Sequence, residues 1–130
     1  MKGDEIIAIA KKEIGYSEDP PDSNLTKYGK WANLDGEPWC AIFVSYIYAM
    51  AGVQLEPIDF PKGYAGVQSG VSYFKATGQM TENPEPGDLV FYDWNGDGHY
   101  DHTGLFSSKI DDNTFLAIEG NTSKIGRAHV

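Results

Sequence analysis

The only cysteine of the chain, Cys40, stands at the start of an apolar segment, in Glu37-Pro38-Trp39-Cys40 followed by AIFVSYIYAMAGV. Free cysteine is among the most buried residue types, so packing is one explanation for it. Nucleophilic catalysis is the other explanation, and it requires a base for the thiol proton and a group that orients this base. Candidates for both roles follow later in the chain.

The base has three histidine candidates. His129 lies near the chain end and His99 lies in a loop rich in Gly and Asp, so both are expected at the surface. His102 opens a predicted strand in the stretch Asp101-His102-Thr103-Gly104. Taken alone, so short a motif fits a structural histidine more often than a catalytic one.

The orienting group is expected in Ile118-Glu119-Gly120-Asn121. Alternation along a strand directs Glu119 and Asn121 to the same face, from which both could reach an imidazole on a neighbouring strand, while Leu116 and Ile118 point into the core. A polar strand end that enters a turn would explain the same residues. A thiol at a helix start, a histidine at a strand start and Glu-x-Asn at a later strand end together favour catalysis.

The elements that must position these residues fall into two groups. Four helices are predicted: over 4–14, over a short segment capped by Asn24, over 40–51 and over 66–77. In the first of them Ile14 is predicted to lie on the buried face and Gly15 to be the C-terminal cap. Strands are predicted at LVFYDW, HTGLFSS and TFLAIEG, and KIGRAHV reads as the start of another. Helices followed by antiparallel strands indicate the α+β class.

Composition limits the classes of function. The 130 residues fit one domain, and a single cysteine excludes an internal disulfide framework. The net charge of −9 argues against nucleic-acid binding. The longest apolar run is too short to cross a membrane, and the N-terminus lacks the hydrophobic region of a signal peptide. We therefore expect no membrane insertion, and a monomer.

Four motifs in order, WCAIFVS, PGDLVFY, DHTGL and IEGNTS, resemble the CHAP domain, the cysteine- and histidine-dependent amidohydrolase/peptidase family. The resemblance implies a papain-like (NlpC/P60-like) fold in which N-terminal helices pack on an antiparallel sheet. It implies a single catalytic domain over residues 1–130, and such a domain can be trimmed from a longer protein with a C-terminal wall-binding module. By motif, Cys40 matches the nucleophile, His102 the base, Glu119 the third residue and Asn121 an assisting polar position.

The resemblance also implies that the partner is bacterial peptidoglycan, cut at an amide bond of its stem or bridge peptides. The protein would then act on the cell wall, secreted or phage-released, as an endolysin or autolysin. The cysteine chemistry itself requires no cofactor. Backbone N–H groups at a helix start favour a thiolate and can also stabilise an oxyanion.

The loop Asp93-Trp94-Asn95-Gly96-Asp97-Gly98 matches the opening of an EF-hand-type calcium loop. A structural calcium ion would be held by oxygen atoms of five residues, Asp93, Asn95, Asp97, His99 (through its carbonyl) and Asp101. The twelfth position, where a bidentate Glu normally completes the set, is Gly104. A hairpin tip explains the glycines equally well.

Aromatic residues near the motifs, Trp39, Trp94 and Tyr100, are candidates for substrate binding, although packing is the commoner role for each. Two other functions stay open. One is a metal-dependent hydrolase that uses His99 and His102 beside carboxylates, and the other is a non-catalytic calcium- or wall-binding module on the same fold.

Overall fold

The computed structural model describes residues 2–129 apart from residues 17, 18, 21, 22, 54, 82, 94, 95, 113 and 121–125, and for residues 126–129 it describes the backbone. The described residues form four helices and then four strands: α1 Lys2–Lys11, α2 Lys27–Ala32, α3 Cys40–Met50, α4 Val67–Ala76, β1 Leu89–Tyr92, β2 His102–Asp111, β3 Thr114–Glu119 and β4 Gly126–His129. The predicted order of helices before strands is confirmed.

The first helix ends earlier than its apolar pattern predicts. Ile6, Ile7 and Ala10 are buried on one face of α1, as expected. The helix ends at Lys11, however, and a turn follows it, so Ile14 leaves the helical period and is 40% exposed. The prediction that Ile14 lies on the buried face is therefore wrong.

The second helix is capped by Thr26, and the predicted cap Asn24 is wrong. Thr26 has extended dihedral angles, and its hydroxyl accepts a hydrogen bond from the backbone N–H of Gly29 at 3.0 Å. This arrangement satisfies one of the N–H groups that a helix start leaves without an internal partner. Asn24 lies two residues earlier in the left-handed region, with φ of 59°.

The third helix is the centre of the fold. Seven of its eleven residues are buried, and it contacts α1, α2, β2 and β3. Its first turn also packs closely on the end of β3, because a Cβ atom on Gly120 would lie 2.8 Å from Trp39 and 2.9 Å from Phe43. A glycine at position 120 therefore allows the start of α3 to approach the strand that carries Glu119.

The four strands form one sheet in the order β1-β2-β3-β4, and each neighbouring pair is antiparallel. Tyr92 at the end of β1 pairs with His102 at the start of β2, and Leu105 pairs with Ile118. This register sets the start of β2 beside the end of β3, which is the arrangement that the candidate triad needs.

Both faces of the sheet are buried near the end of β3. Ile118 is fully buried in the core, as predicted, but Ala117 on the opposite face is fully buried too, and Leu116 is half-buried. Ala117 and Ile118, on opposite faces of the strand, are therefore both removed from solvent at this end. Glu119 lies at this doubly buried end and is 3% exposed.

One tyrosine connects the helices to the sheet. The Tyr64 N–H donates to Ser45 Oγ on α3 at 3.2 Å, and its phenolic oxygen lies 2.8 Å from Thr103 Oγ1 on β2. Thr103 in turn donates its hydroxyl proton to the Val90 carbonyl, so the Tyr64 hydroxyl is the donor to Thr103. Tyr64 thus holds α3 against the strand that begins with His102.

Candidate active site

Cys40 is the first residue of α3, and its side chain is a buried free thiol, 6% exposed. The residue before the helix is Trp39, whose indole has no atom that can accept a hydrogen bond from the first-turn N–H groups. No acidic side chain lies in the first turn either. The thiol therefore sits at the positive end of the central helix, where a negative charge is stabilised.

His102 and Glu119 form a buried pair beside this helix start. His102 Nε2 lies 3.3 Å from Glu119 Oε1, and both side chains are almost completely buried. The antiparallel register explains the contact: Gly104 stands opposite Glu119 and has no side chain, and a Cβ atom there would lie 2.6 Å from Glu119 Cγ. The carboxylate thus occupies the space on the sheet face beside His102.

The charge of His102 is set by three effects. Burial opposes the protonated form, but hydrogen bonds to Cys40 and Glu119 and the negative charges of both groups outweigh it, so that the pKa of His102 rises from 6.5 to about 9. The imidazole is therefore protonated at neutral pH. Since Nε2 faces Glu119, Nδ1 is the ring nitrogen left for Cys40.

These three side chains can perform acyl transfer. A protonated imidazole beside the thiol favours the thiolate, which is the nucleophilic form. The same imidazolium can give its proton to a leaving amine, and the carboxylate fixes the ring orientation and supports its charge. Among the described residues no three His, Cys, Asp or Glu side chains are arranged to hold a metal ion, which argues against the alternative that pairs His99 with His102.

A cleft of about 600 Å³ opens at the thiol and the imidazole. Its described walls come from the segment before α3, the start of α4 and the loop before β2, including Glu37, Asp59, Gln68 and Tyr100. A second pocket, of about 460 Å³, runs along β1 and is lined by neither Cys40 nor His102. The first cleft is therefore the one through which a substrate would reach the thiol.

The family model of the CHAP domain matches residues 32–121, a range that contains Cys40, His102 and Glu119. The chain belongs to the CHAP family. Searches among curated proteins and among solved structures gave no match. Membership supports hydrolysis of the amidase or peptidase type on peptidoglycan, and the papain-like α+β class is confirmed by the four helices that precede the antiparallel sheet in the described part of the chain.

The prediction that three aromatic residues of this CHAP domain bind substrate has a different outcome for each residue. Trp39 is fully buried, and its ring stacks on Tyr28 at 5.5 Å, so its predicted contact with substrate is wrong because no surface of it is accessible. Tyr100 does line the cleft, where its N–H donates to Gln68 Oε1 at 3.0 Å. Trp94 and the catalytic candidate Asn121 lie outside the described residues.

The acidic loop before β2 is organised by its own backbone. Asp93 accepts hydrogen bonds from the N–H groups of Asp97 at 3.2 Å and Gly98 at 2.7 Å, and Asp97 accepts one from His99 at 2.9 Å. Desolvation raises the pKa of Asp93, but the backbone hydrogen bonds together outweigh it and lower that pKa below the usual value. His99 and Asp101 are exposed, and Asp101 uses its N–H for the Tyr92 carbonyl.

In the part of the chain that is described, which omits Asn95, no three His, Cys, Asp or Glu side chains are arranged so that they could hold a metal ion. Hydrogen bonds within the loop account for its turn, so calcium binding stays a prediction. The residues described here also include no helix of the length and apolarity that crossing a bilayer requires.

The calcium prediction is tested by calorimetric titration of chelator-treated protein with calcium. If the loop binds the ion, the wild-type protein gives binding heat that Asp93→Ala and Asp97→Ala abolish, because both carboxylates are ligands in the EF-hand-type pattern. Absence of heat, together with unchanged activity in chelator, would identify the loop as a hydrogen-bonded turn.

The Glu119→Gln variant is expected to lower the rate of wall hydrolysis by roughly 10- to 100-fold, since a hydrogen bond to a charged group contributes about 1.5–3 kcal/mol. Against the opposing effect of burial, Cys40 and, after it, Glu119 raise the pKa of His102 to about 9, so activity should decline at alkaline pH near that value. Without the charge of Glu119 this decline should move to lower pH. The check is a pH–rate profile of both proteins, and an unmoved alkaline limb would contradict the assignment.

Proposed function

We propose that this CHAP domain is a cysteine-dependent peptidoglycan hydrolase that cleaves an amide bond in the stem or bridge peptides of the cell wall. The observation that supports this function is the convergence of three side chains: the Cys40 thiol at the helix start and the His102 imidazole line the same cleft, and the Glu119 carboxylate lies 3.3 Å from the ring. Each has the chemistry that one step of amide hydrolysis needs.

The reaction begins when the Cys40 thiolate attacks the carbonyl carbon of the scissile amide. The oxyanion that forms is stabilised by backbone N–H groups at the start of α3. His102 gives its proton to the departing amine, and the C–N bond breaks to leave a thioester. Water, deprotonated by His102, then attacks the thioester, and the C–S bond breaks to release the carboxylic acid and to restore the thiolate beside the imidazolium.

Two bonds fit this chemistry. An N-acetylmuramoyl-L-alanine amidase cuts between the lactyl group and the first alanine, whereas an endopeptidase cuts within the stem or cross-bridge. In either case the protein acts at the bacterial cell wall, as a secreted autolysin or a phage-released endolysin. We propose that it acts as a monomer, because residues of one chain supply the thiol, the base and the cleft.

Mass spectrometry of fragments released from purified cell walls tests the function and identifies the bond. A free amino terminus on the first alanine of the stem peptide identifies an amidase, and a new terminus elsewhere identifies an endopeptidase. Protein pretreated with iodoacetamide is the matched control, because Cys40 is the only cysteine that the reagent can alkylate. Equal release by alkylated and untreated protein would contradict cysteine catalysis and favour a metal-dependent hydrolase. Release of no fragment by either protein would favour a binding module.

A further inference from the structure

Tyr92 contacts the candidate base His102 but is not one of the three side chains Cys40, His102 and Glu119. It is the last residue of β1 and pairs with His102 across the sheet, and its ring stacks on the imidazole with centroids 5.8 Å apart and planes inclined by 25°. Its side chain is buried, with 6% of the residue exposed. A phenol in such a position needs a polar partner for its hydroxyl.

The register of the sheet places Tyr92, His102 and Glu119 on the same face of three neighbouring strands. Glu119 Oε1 faces His102, and Gly104 leaves the space that the methylene groups of Glu119 occupy. The other carboxylate oxygen, Oε2, is buried and accepts no hydrogen bond from any residue that the structure describes, so it can accept one from a phenol on this face. Burial and, after it, the interaction with Glu119 both raise the pKa of Tyr92, so the phenol stays protonated and is able to donate.

We propose that Tyr92 is a positioning residue that holds the Glu119 carboxylate toward His102 through its hydroxyl and supports the imidazole plane with its ring. The inference rests on the proposed function, since the base is His102. Tyr92 does not border the cleft that leads to Cys40, so it acts through Glu119 and not on the substrate.

The test is a double-mutant cycle with Tyr92→Phe and Glu119→Ala. Tyr92→Phe keeps the stacked ring and removes only the hydroxyl, so we expect the protein to fold and to lyse purified walls about 10-fold more slowly. In the Glu119→Ala background the hydroxyl has no carboxylate to hold, and Tyr92→Phe should then change the rate by less than about twofold. Equal losses in both backgrounds would overturn the proposal.

Tyr48→Phe is the matched control. Its hydroxyl also donates to an oxygen within the protein, the Gly87 carbonyl, but it lies at the far end of α3 from Cys40. We expect this variant to keep the wild-type rate. If Tyr48→Phe slows lysis as much as Tyr92→Phe does, the loss reflects a missing buried hydroxyl in general, and the proposal fails.

A second readout needs no substrate. The protonation midpoint of His102, followed by NMR and assigned by comparison with His102→Ala, should lie lower in Tyr92→Phe than in the wild type, because a carboxylate released from the phenol supports the imidazolium less well. Gly104→Ala should lower it too, since the added Cβ must displace Glu119. An unchanged midpoint in both variants overturns the positioning role even if the wild-type protein hydrolyses walls, whereas a lowered midpoint without any hydrolysis would contradict the proposed function alone.

Discussion

Replacement of Cys40 by alanine is expected to abolish lysis of purified cell walls, with a loss on the order of 10⁴-fold or more. The reason is that the thiolate forms the bond to the substrate carbonyl, and no other cysteine exists to replace it. Turbidity of a wall suspension and release of soluble peptides measure the loss. The substitution removes one buried sulfur atom, so the cost in the free energy of unfolding should be about 1 kcal/mol.

Cys40→Ser is the companion variant, because it keeps the size of the side chain and replaces the sulfur by a weaker nucleophile. It should lose nearly all activity while its circular dichroism and thermal melting stay close to the wild type. Substantial lysis by a purified Cys40→Ala protein would show that the thiol is a packing residue and that the chemistry lies elsewhere.

Replacement of His102 by alanine should lower the rate by about 10²–10⁴-fold, the contribution expected of a general acid–base group. The substitution removes the proton donor for the leaving amine and also the positive charge beside the thiol. His99→Ala is the matched control on the same segment, because His99 lines the cleft but is exposed in the loop. We expect His99→Ala to keep most of the activity in the same wall-lysis assay.

The reverse result would reassign the base. If His99→Ala were inactive and His102→Ala active, the contact between His102 and Glu119 would be a structural pair. Rates of Cys40 alkylation give an independent comparison: His102→Ala should slow alkylation near neutral pH, because the thiol loses the imidazolium that favours its thiolate form, and His99→Ala should leave alkylation unchanged.

The sequence was sufficient to predict the elements that carry the triad, because their signals are local. An apolar run that begins at Cys40 and stops before Gly52 defines α3, and the stretch HTGLFSS, followed by the turn-like residues IDDN, indicates β2. The facing of Glu119 follows from the alternation of side chains along its strand. The four family motifs, found in order along the chain, then indicated that these residues act together, which no single motif could indicate.

The remaining features depend on distant contacts that a local pattern does not contain. Trp39 looks like a cleft aromatic beside a nucleophile, but it is fully buried because Tyr28 from another helix stacks on it. The sequence of the loop between Tyr92 and His102 does not predict the strand register that pairs these two residues. The place of Tyr92 on the same face as Glu119 also requires β3 to lie beside β2, and the predicted strand LVFYDW, which runs past Tyr92, gives no local signal of this.

The connection through Tyr64 has a consequence for how the protein loses catalytic activity when it is heated. The thiol belongs to the helical layer and the imidazole to the sheet, and each layer can keep its own backbone hydrogen bonds while the two separate. Loss of the Tyr64 contacts with Ser45 and Thr103 would widen the gap between sulfur and imidazole before either layer unfolds. We therefore expect the temperature limit of catalysis to be set by the packing between the two layers and to lie below the temperature at which the helices and strands melt.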